Sequence, residues 1–322
     1  MLGKHRVIVE NAYIKFDFTI SRNITIVRGD SATGKTTLVE MVRTYCEQED
    51  TGIDVRCGKP LRTVYGKDWK HQIEETGNSI IFIDEQSRFV KSKEFANTIK
   101  GTDNYYVIVT REKLSELPYS VTEIYGIRTS GKYAGLSGEY TQNEFFRIYG
   151  NEPMKVFKPD MIITEDSGSG FDFWSSAAKA CTCVSAEGKA NIINTLKQKA
   201  VNKRCLAIVD GAAFGAEMEE IIQYIKFANP DVRLYAPESF EYILLSSGSF
   251  TSGEIAVMCE STYDYADSTK YMSWEQFYTE LIIEVTQDTE MKYSKKKLNV
   301  YYLSEKNMSL VLKELPSTLE IL

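Results

Sequence analysis

The stretch Gly29-Asp30-Ser31-Ala32-Thr33-Gly34-Lys35-Thr36 fits G-x-x-x-x-G-K-[ST] at every fixed position. No other stretch limits the fold as strongly, because the pattern has meaning only between a strand and a helix. The sequence supplies both. Ile24–Arg28 is a short apolar run, and Thr37–Cys46 sets Leu38, Val39, Met41, Val42 and Tyr45 at helical spacing. Glycines let the backbone curl so that successive N–H groups converge on an anion, and the following helix turns its positive end toward it. Gly29, Asp30, Ser31, Ala32, Thr33, Gly34, Lys35, Thr36 and the adjoining Thr37 are therefore the candidate phosphate-binding residues. In such a loop Lys35 reaches the β- and γ-phosphates of ATP or GTP, and Thr36 binds Mg²⁺.

A second apolar run, Ser79–Ile83, ends in Asp84-Glu85. Asp84 is expected to hold the Mg²⁺ through water, and Glu85 to orient the attacking water. A third run, Tyr105–Val109, ends in Thr110-Arg111. Ligands of parallel sheets lie beyond the carboxyl ends of the strands. Thr110 is there a candidate sensor of the γ-phosphate, and Arg111 a candidate for neutralising charge in the transition state. The competing reading is a helix cap plus a solvated arginine.

Strand-like runs alternate with helix-like runs over the first 127 residues, beginning with a hairpin pattern at Arg6–Glu10 and Ala12–Ile20 and closing with Thr122–Ile127. This predicts an α/β domain with a mostly parallel sheet over 1–127. Residues 128–158 hold Gly131, Gly135, Gly138, Gly150 and Pro153 and read as a connection, with room for a small hairpin. The pattern restarts over 159–322 as a second α/β domain with a C-terminal extension. Its expected elements are strands at Met161–Thr164, Cys205–Val209 and Val232–Ala236, helices at Lys189–Lys199 and Met218–Phe227, a helix opening at Pro237 or Ser239, and a helix over Ser273–Val285.

The first domain resembles the ATPase core of AAA and ABC-type proteins in its order of hairpin, phosphate loop, Asp-Glu strand and Thr-Arg strand. The resemblance implies a P-loop NTPase with Lys35, Glu85 and Arg111 in catalysis. The ABC signature is LSGGQ between the two nucleotide motifs. Here Leu136-Ser137-Gly138-Glu139 follows Asp84 instead, so the compact AAA-like core is the closer comparison.

In the second domain, acids follow three strand-like runs: Glu165-Asp166, Asp210, and Glu238 with Glu241. In a parallel sheet they converge on one edge, where carboxylates can hold Mg²⁺ or Mn²⁺ and activate water against a phosphodiester. The alternative is that they are ordinary caps and solvated turns. Residues 158–250 resemble the TOPRIM fold of topoisomerase-primase domains, especially OLD-family nucleases, by Glu165, Gly188-Lys189 and Asp210 in order. The second acid of the family's Asp-x-Asp falls on Ala212, so Glu238 or Glu241 has to substitute. The resemblance implies a metal set of Glu165, Asp210, Glu238 and Glu241 beside the Thr36–Asp84 site, and a chain of the phage-defence or mobile-element type. Two function classes stay open: an NTP-controlled nuclease, and a nucleotide-dependent switch whose second domain only binds a partner.

Composition narrows the partners. Hydrophobic content of 43% supports packed cores, and a net charge of −7 argues against a general polyanion-coating protein while leaving room for a local basic groove. The candidate partners are a nucleotide, nucleic acid at the second domain, and a protein. No run of about 18 apolar residues suggests a membrane span, and the first residues lack a signal-peptide apolar core. Two histidines argue against a Cys/His zinc site, so the six cysteines read as free thiols of a cytoplasmic protein, with Cys181 and Cys183 in a buried strand. Trp69, Trp174 and Trp274 read as packing residues, and Lys292–Lys297 as a solvated basic turn.

Overall fold

The computed structural model describes residues 1–29, 33–130, 140–150, 156–250 and 252–321. The chain forms two α/β units, one of Met1–Asn151 with Tyr263–Met272, the other of Glu152–Thr262 with Ser273–Leu322.

The first unit is built on a nine-stranded mixed sheet. Its strands are β1 (His5–Glu10), β2 (Ile14–Ile20), β3 (Ile24–Val27), β4 (Asp54–Arg56), β5 (Leu61–Thr63), β6 (Ile80–Ile83), β7 (Tyr105–Val109), β8 (Ile124–Ser130) and β9 (Thr141–Arg147), in the spatial order β4-β1-β2-β9-β8-β3-β7-β6-β5. The run from β8 to β5 is parallel. Every residue of β3, β6 and β7 is buried, which is why these strands read as unbroken apolar runs. The hairpin β1–β2 forms as its alternation predicts.

The sheet is mixed: β4–β1, β1–β2 and β9–β8 pair antiparallel, while β2–β9 and the run from β8 to β5 are parallel. One expectation is corrected here. Residues read as connection supply β9 and the end of β8, and β9 is wedged between β8 and β2. Phe145 of β9 stacks on Phe18 of β2, ring centroids 4.0 Å apart. That packing, more than the local glycines, decides where the segment goes.

Among the described residues, the α-helices of this unit are α1 (Lys35–Glu47), α2 (Trp69–Glu74) and α3 (Lys93–Ile99). Leu38, Val39, Met41 and Val42 of α1 enter the core formed with Val7, Val9, Phe16 and Phe18. Residues 263–272, expected in the second domain, return to the first unit. The N-terminal ammonium lies 2.9 Å from Asp267 Oδ1, and Asn23 Nδ2 donates to the Met272 carbonyl at 3.0 Å.

The second unit has a parallel sheet of order β11-β10-β12-β13, from β10 (Met161–Thr164), β11 (Thr182–Ser185), β12 (Cys205–Ile208) and β13 (Val232–Tyr235). The central strands β10 and β12 are wholly buried. Around them run α4 (Ser169–Ala177), α5 (Ile192–Lys199), α6 (Met218–Phe227), α7 (Phe240–Ser246), α8 (Gly253–Glu260), α9 (Trp274–Thr286) and α10 (Glu305–Lys313). Trp174 packs with Phe173 and Phe240, a packing role as expected. Cys183 lies on the edge strand β11, and both it and Cys181 are half-buried rather than buried. Among the described residues, no helix is long and apolar enough to cross a membrane.

Candidate functional site

Strand register brings the first set of candidates to one edge. Val27 pairs with Val109 and Ile108 with Ile83, all in parallel. Gly29, Thr110-Arg111 and Asp84-Glu85 therefore leave the same end of three adjacent strands, with β7 between the loop strand and the Asp-Glu strand. Gly34 caps α1 at φ 88°, a left-handed conformation that glycine adopts without strain. It turns the chain into the helix whose first residue is Lys35.

Lys35 is 4% exposed. Its ammonium donates to the Gly29 carbonyl at 2.8 Å and to Thr33 Oγ1 at 3.0 Å. It thus spans the two described ends of the loop. Thr36 and Thr37 are exposed on the first turn of α1. Asp30, Ser31 and Ala32 lie outside the described residues, as do Leu136, Ser137, Gly138 and Glu139.

Asp84 Oδ1 is buried and accepts no hydrogen bond. A buried carboxylate oxygen left unfilled is costly unless something pairs with it, and a cation at this edge would do so. Glu85 Oε1 lies 2.8 Å from Arg111 Nε, so two of the three residues expected in catalysis are paired with each other. Thr110 is buried, and its hydroxyl accepts from the Glu112 N–H at 3.0 Å. This is a local turn bond rather than a helix cap, since no helix follows β7 at this point, and it fixes the turn that presents Arg111. Sequence reading missed Arg28. Its buried guanidinium donates to the Glu112 carbonyl at 3.0 Å and bonds Tyr119 Oη at 3.3 Å, bracing the same turn.

In the second unit, Thr164 pairs with Ile208 and Ile208 with Tyr235. The acids after β10, β12 and β13 accordingly share one edge. Glu165 Oε2 accepts from the Asp210 N–H at 3.0 Å, and Asp210 Oδ1 accepts from the Phe240 N–H at 3.1 Å. Burial pushes the Glu165 carboxyl up to about 7, against the hydrogen bond from Asp210 N–H, which lowers it. Burial, with the charges of Glu275, Glu241 and Glu165, also pushes Asp210 well above its ordinary value. Asp166 accepts from the Gly168 and Gly170 N–H groups, which places it at the start of α4.

Glu241 is 1% exposed; its Oε1 accepts from Tyr293 Oη at 2.7 Å, and its Oε2 is buried without a hydrogen-bond partner. Glu238 presents its carbonyl to the Ala212 N–H, and its charge acts on the Tyr242 phenol. Lys189 donates to the Ala213 carbonyl and lowers Glu165 electrostatically. Ala212 is 2% exposed, so the position expected to carry the second acid is a packed one.

Two members of this cluster went unseen in the sequence. Glu275, in the first turn of α9, and Lys295, inside the basic run, form an ion pair, and Lys295 Nζ lies 3.8 Å from Glu241 Oε1. Burial lowers Lys295, but the charges of Glu241, Glu275 and Asp210 outweigh it and hold the ammonium above its ordinary value. The basic run is thus only partly a solvated turn. Tyr293 and Leu298, both buried, bracket Lys295, and two apolar anchors in a lysine-rich stretch were the signal available.

Among the described residues, no group of three or more His, Cys, Asp or Glu is arranged to hold a metal ion. No protein-family model matches this sequence, and no curated protein matches it.

Proposed function

We propose that the first unit is a P-loop NTPase that binds ATP or GTP with Mg²⁺ and hydrolyses it. One observation carries this reading: the buried Lys35 ammonium bridges Gly29 and Thr33 on the same sheet edge that holds the unfilled Asp84 Oδ1. Magnesium commonly takes one or two protein oxygens and completes its shell with water and substrate phosphates. Thr36 and Asp84 suffice as its protein ligands, so the lack of a three-residue metal group among the described residues does not oppose it. Bound there, Mg²⁺ would neutralise charge on the phosphate oxygens.

The chain's own residues divide the rest. Backbone N–H groups of the loop and the α1 terminus hold the triphosphate. Lys35 exchanges its bonds to Gly29 and Thr33 for phosphate oxygens. Glu85 holds the attacking water and takes its proton, which requires release from Arg111. Arg111, drawn to the anionic substrate, supplies positive charge where it develops. The test is phosphate release in a single turnover with excess protein and Mg²⁺. Release that disappears in Glu85→Gln supports the reading; no release by the unaltered chain contradicts it.

For the second unit, the edge of Glu165, Asp210, Glu241 and Glu275 favours a TOPRIM-like nuclease. The Lys295 ammonium among those acids and the packed Ala212 favour a unit without metal chemistry. We take the latter, a nucleotide-dependent switch whose second unit binds a protein or nucleic-acid partner. Labelled DNA and RNA incubated with Mn²⁺ separate the two, since cleavage abolished by Asp210→Asn would restore the nuclease.

A further inference from the structure

The segment 293–298 is fastened across the acidic edge of the second unit. Ser169 N–H donates to the Lys295 carbonyl at 3.0 Å, and Leu298 N–H to Asp172 Oδ2 at 3.0 Å. Tyr293 Oη lies 2.6 Å from Ser169 Oγ and 2.7 Å from Glu241 Oε1. Three of these bonds end on α4, which begins just after Glu165-Asp166. The Lys295 backbone is therefore pinned, and its side chain reaches Glu241 and Glu275.

We propose that Lys295 is the resident cation of this acidic edge, standing in for a divalent metal, so that the acids gather round its ammonium and the folded unit takes up no metal. The physical case rests on charge and geometry. Lys295 pairs with Glu241 and Glu275, Glu165 bonds the Asp210 backbone, and the charges of Glu275, Glu241 and Glu165 all act on Asp210; carboxyls gathered in this way take up a proton or a counter-charge. An ammonium supplies one charge and three donors. It repels a second cation and cannot be washed out, because the chain tethers it. A divalent ion would draw in more oxygens, at 2.0–2.6 Å. The buried Glu241 Oε2, which has no hydrogen-bond partner, is an oxygen the ammonium leaves unfilled.

This deepens the reading of the second unit and is independent of the nucleotide site. The test uses the full chain carrying Lys35→Ala and Asp84→Ala, without nucleotide, so that the first unit takes no part. Free Mn²⁺ is followed by electron paramagnetic resonance during titration. With Lys295 present, no uptake that depends on Asp210 is expected. Lys295→Gln should gain one Mn²⁺ per chain and lose it when Asp210→Asn is added, whereas Lys295→Arg should gain none.

Thermal unfolding gives the second readout. Lys295→Gln should melt lower than its parent, and Mn²⁺ should recover the loss. If Lys295→Gln does not fold alone, Mn²⁺ should restore its folded circular dichroism. Mn²⁺ uptake with Lys295 in place that Asp210→Asn removes overturns the proposal. So does a Lys295→Gln chain that binds no Mn²⁺ when folded, or that Mn²⁺ fails to fold.

Discussion

Arg111 Nε lies 2.8 Å from Glu85 Oε1, joining the turns after two neighbouring parallel strands. Both side chains are partly exposed, so the pair adds little to stability. In the proposed hydrolysis its interest is kinetic: the carboxylate proposed to take a proton from water is held by a cation that a phosphate would attract away.

Glu85→Gln keeps size and hydrogen-bonding capacity but cannot take a proton. Nucleotide affinity should be preserved, while single-turnover hydrolysis falls by ~10²–10⁴-fold, the usual weight of a general base. Quenched-flow measurement checks it. Undiminished hydrolysis would mean that another residue holds the water.

Arg111→Ala should also slow hydrolysis, and the double variant with Glu85→Gln should lose less than the two single losses combined, because the residues act as a unit. Additive losses in a complete double-mutant cycle would show that the ion pair has no part in turnover.

Asp84→Asn removes the carboxylate charge from a half-buried side chain that has one buried, unfilled oxygen. Mg²⁺ should then no longer raise nucleotide affinity, while melting of the nucleotide-free chain should hold or rise, since a charge with an unfilled buried oxygen is lost. Titrations with Mg²⁺ and with chelator distinguish this from a merely structural role, which would lower melting and leave the Mg²⁺ dependence intact.

The raised Glu165 and Asp210 carboxyls give the second unit a pH dependence of definite sign. Between the unfolded value, about 4.3 for glutamate, and about 7 in the fold, the folded chain keeps a proton that the unfolded chain has released. The Glu165 contribution is therefore fully present below the lower value and is lost as pH rises through the upper one. Asp210 contributes in the same direction. Melting followed across this window should show stability falling with pH, and Glu165→Gln should flatten the fall. An unchanged slope would remove Glu165 as its source.

What the sequence made legible follows from how local each signal was. β6 and β7 were visible because strands buried on both faces are continuously apolar. β10 and α6 fall on the expected residues, Met161–Thr164 and Met218–Phe227. Ser239 was one of two expected helix starts, and its hydroxyl caps α7 by accepting from the Tyr242 N–H. The insertion of β9 between β2 and β8 was not legible, because it depends on a partner strand far along the chain. The return of residues 263–272 to the first unit was hidden for the same reason. At the acidic edge, Glu165 and Asp210 were found by their place after strands, whereas Glu275 comes from a helix and Lys295 from a loop, where no strand-end rule applies. Ala212 shows the limit from the other side: a motif gap visible in the sequence proves to be a packed position, so adding an acid there would bury a charge rather than complete a site.

The central claim is that the edge holding Lys35 binds a nucleoside triphosphate, and equilibrium titration with fluorescent ATP and GTP analogues tests it most directly. Lys35→Ala removes the ammonium that spans Gly29 and Thr33. At least one analogue should bind the unaltered chain, and its affinity should fall at least about tenfold in the variant, roughly 1.4 kcal/mol, with circular dichroism unchanged. Equal affinity in the two chains, or binding of neither analogue, would contradict the assignment.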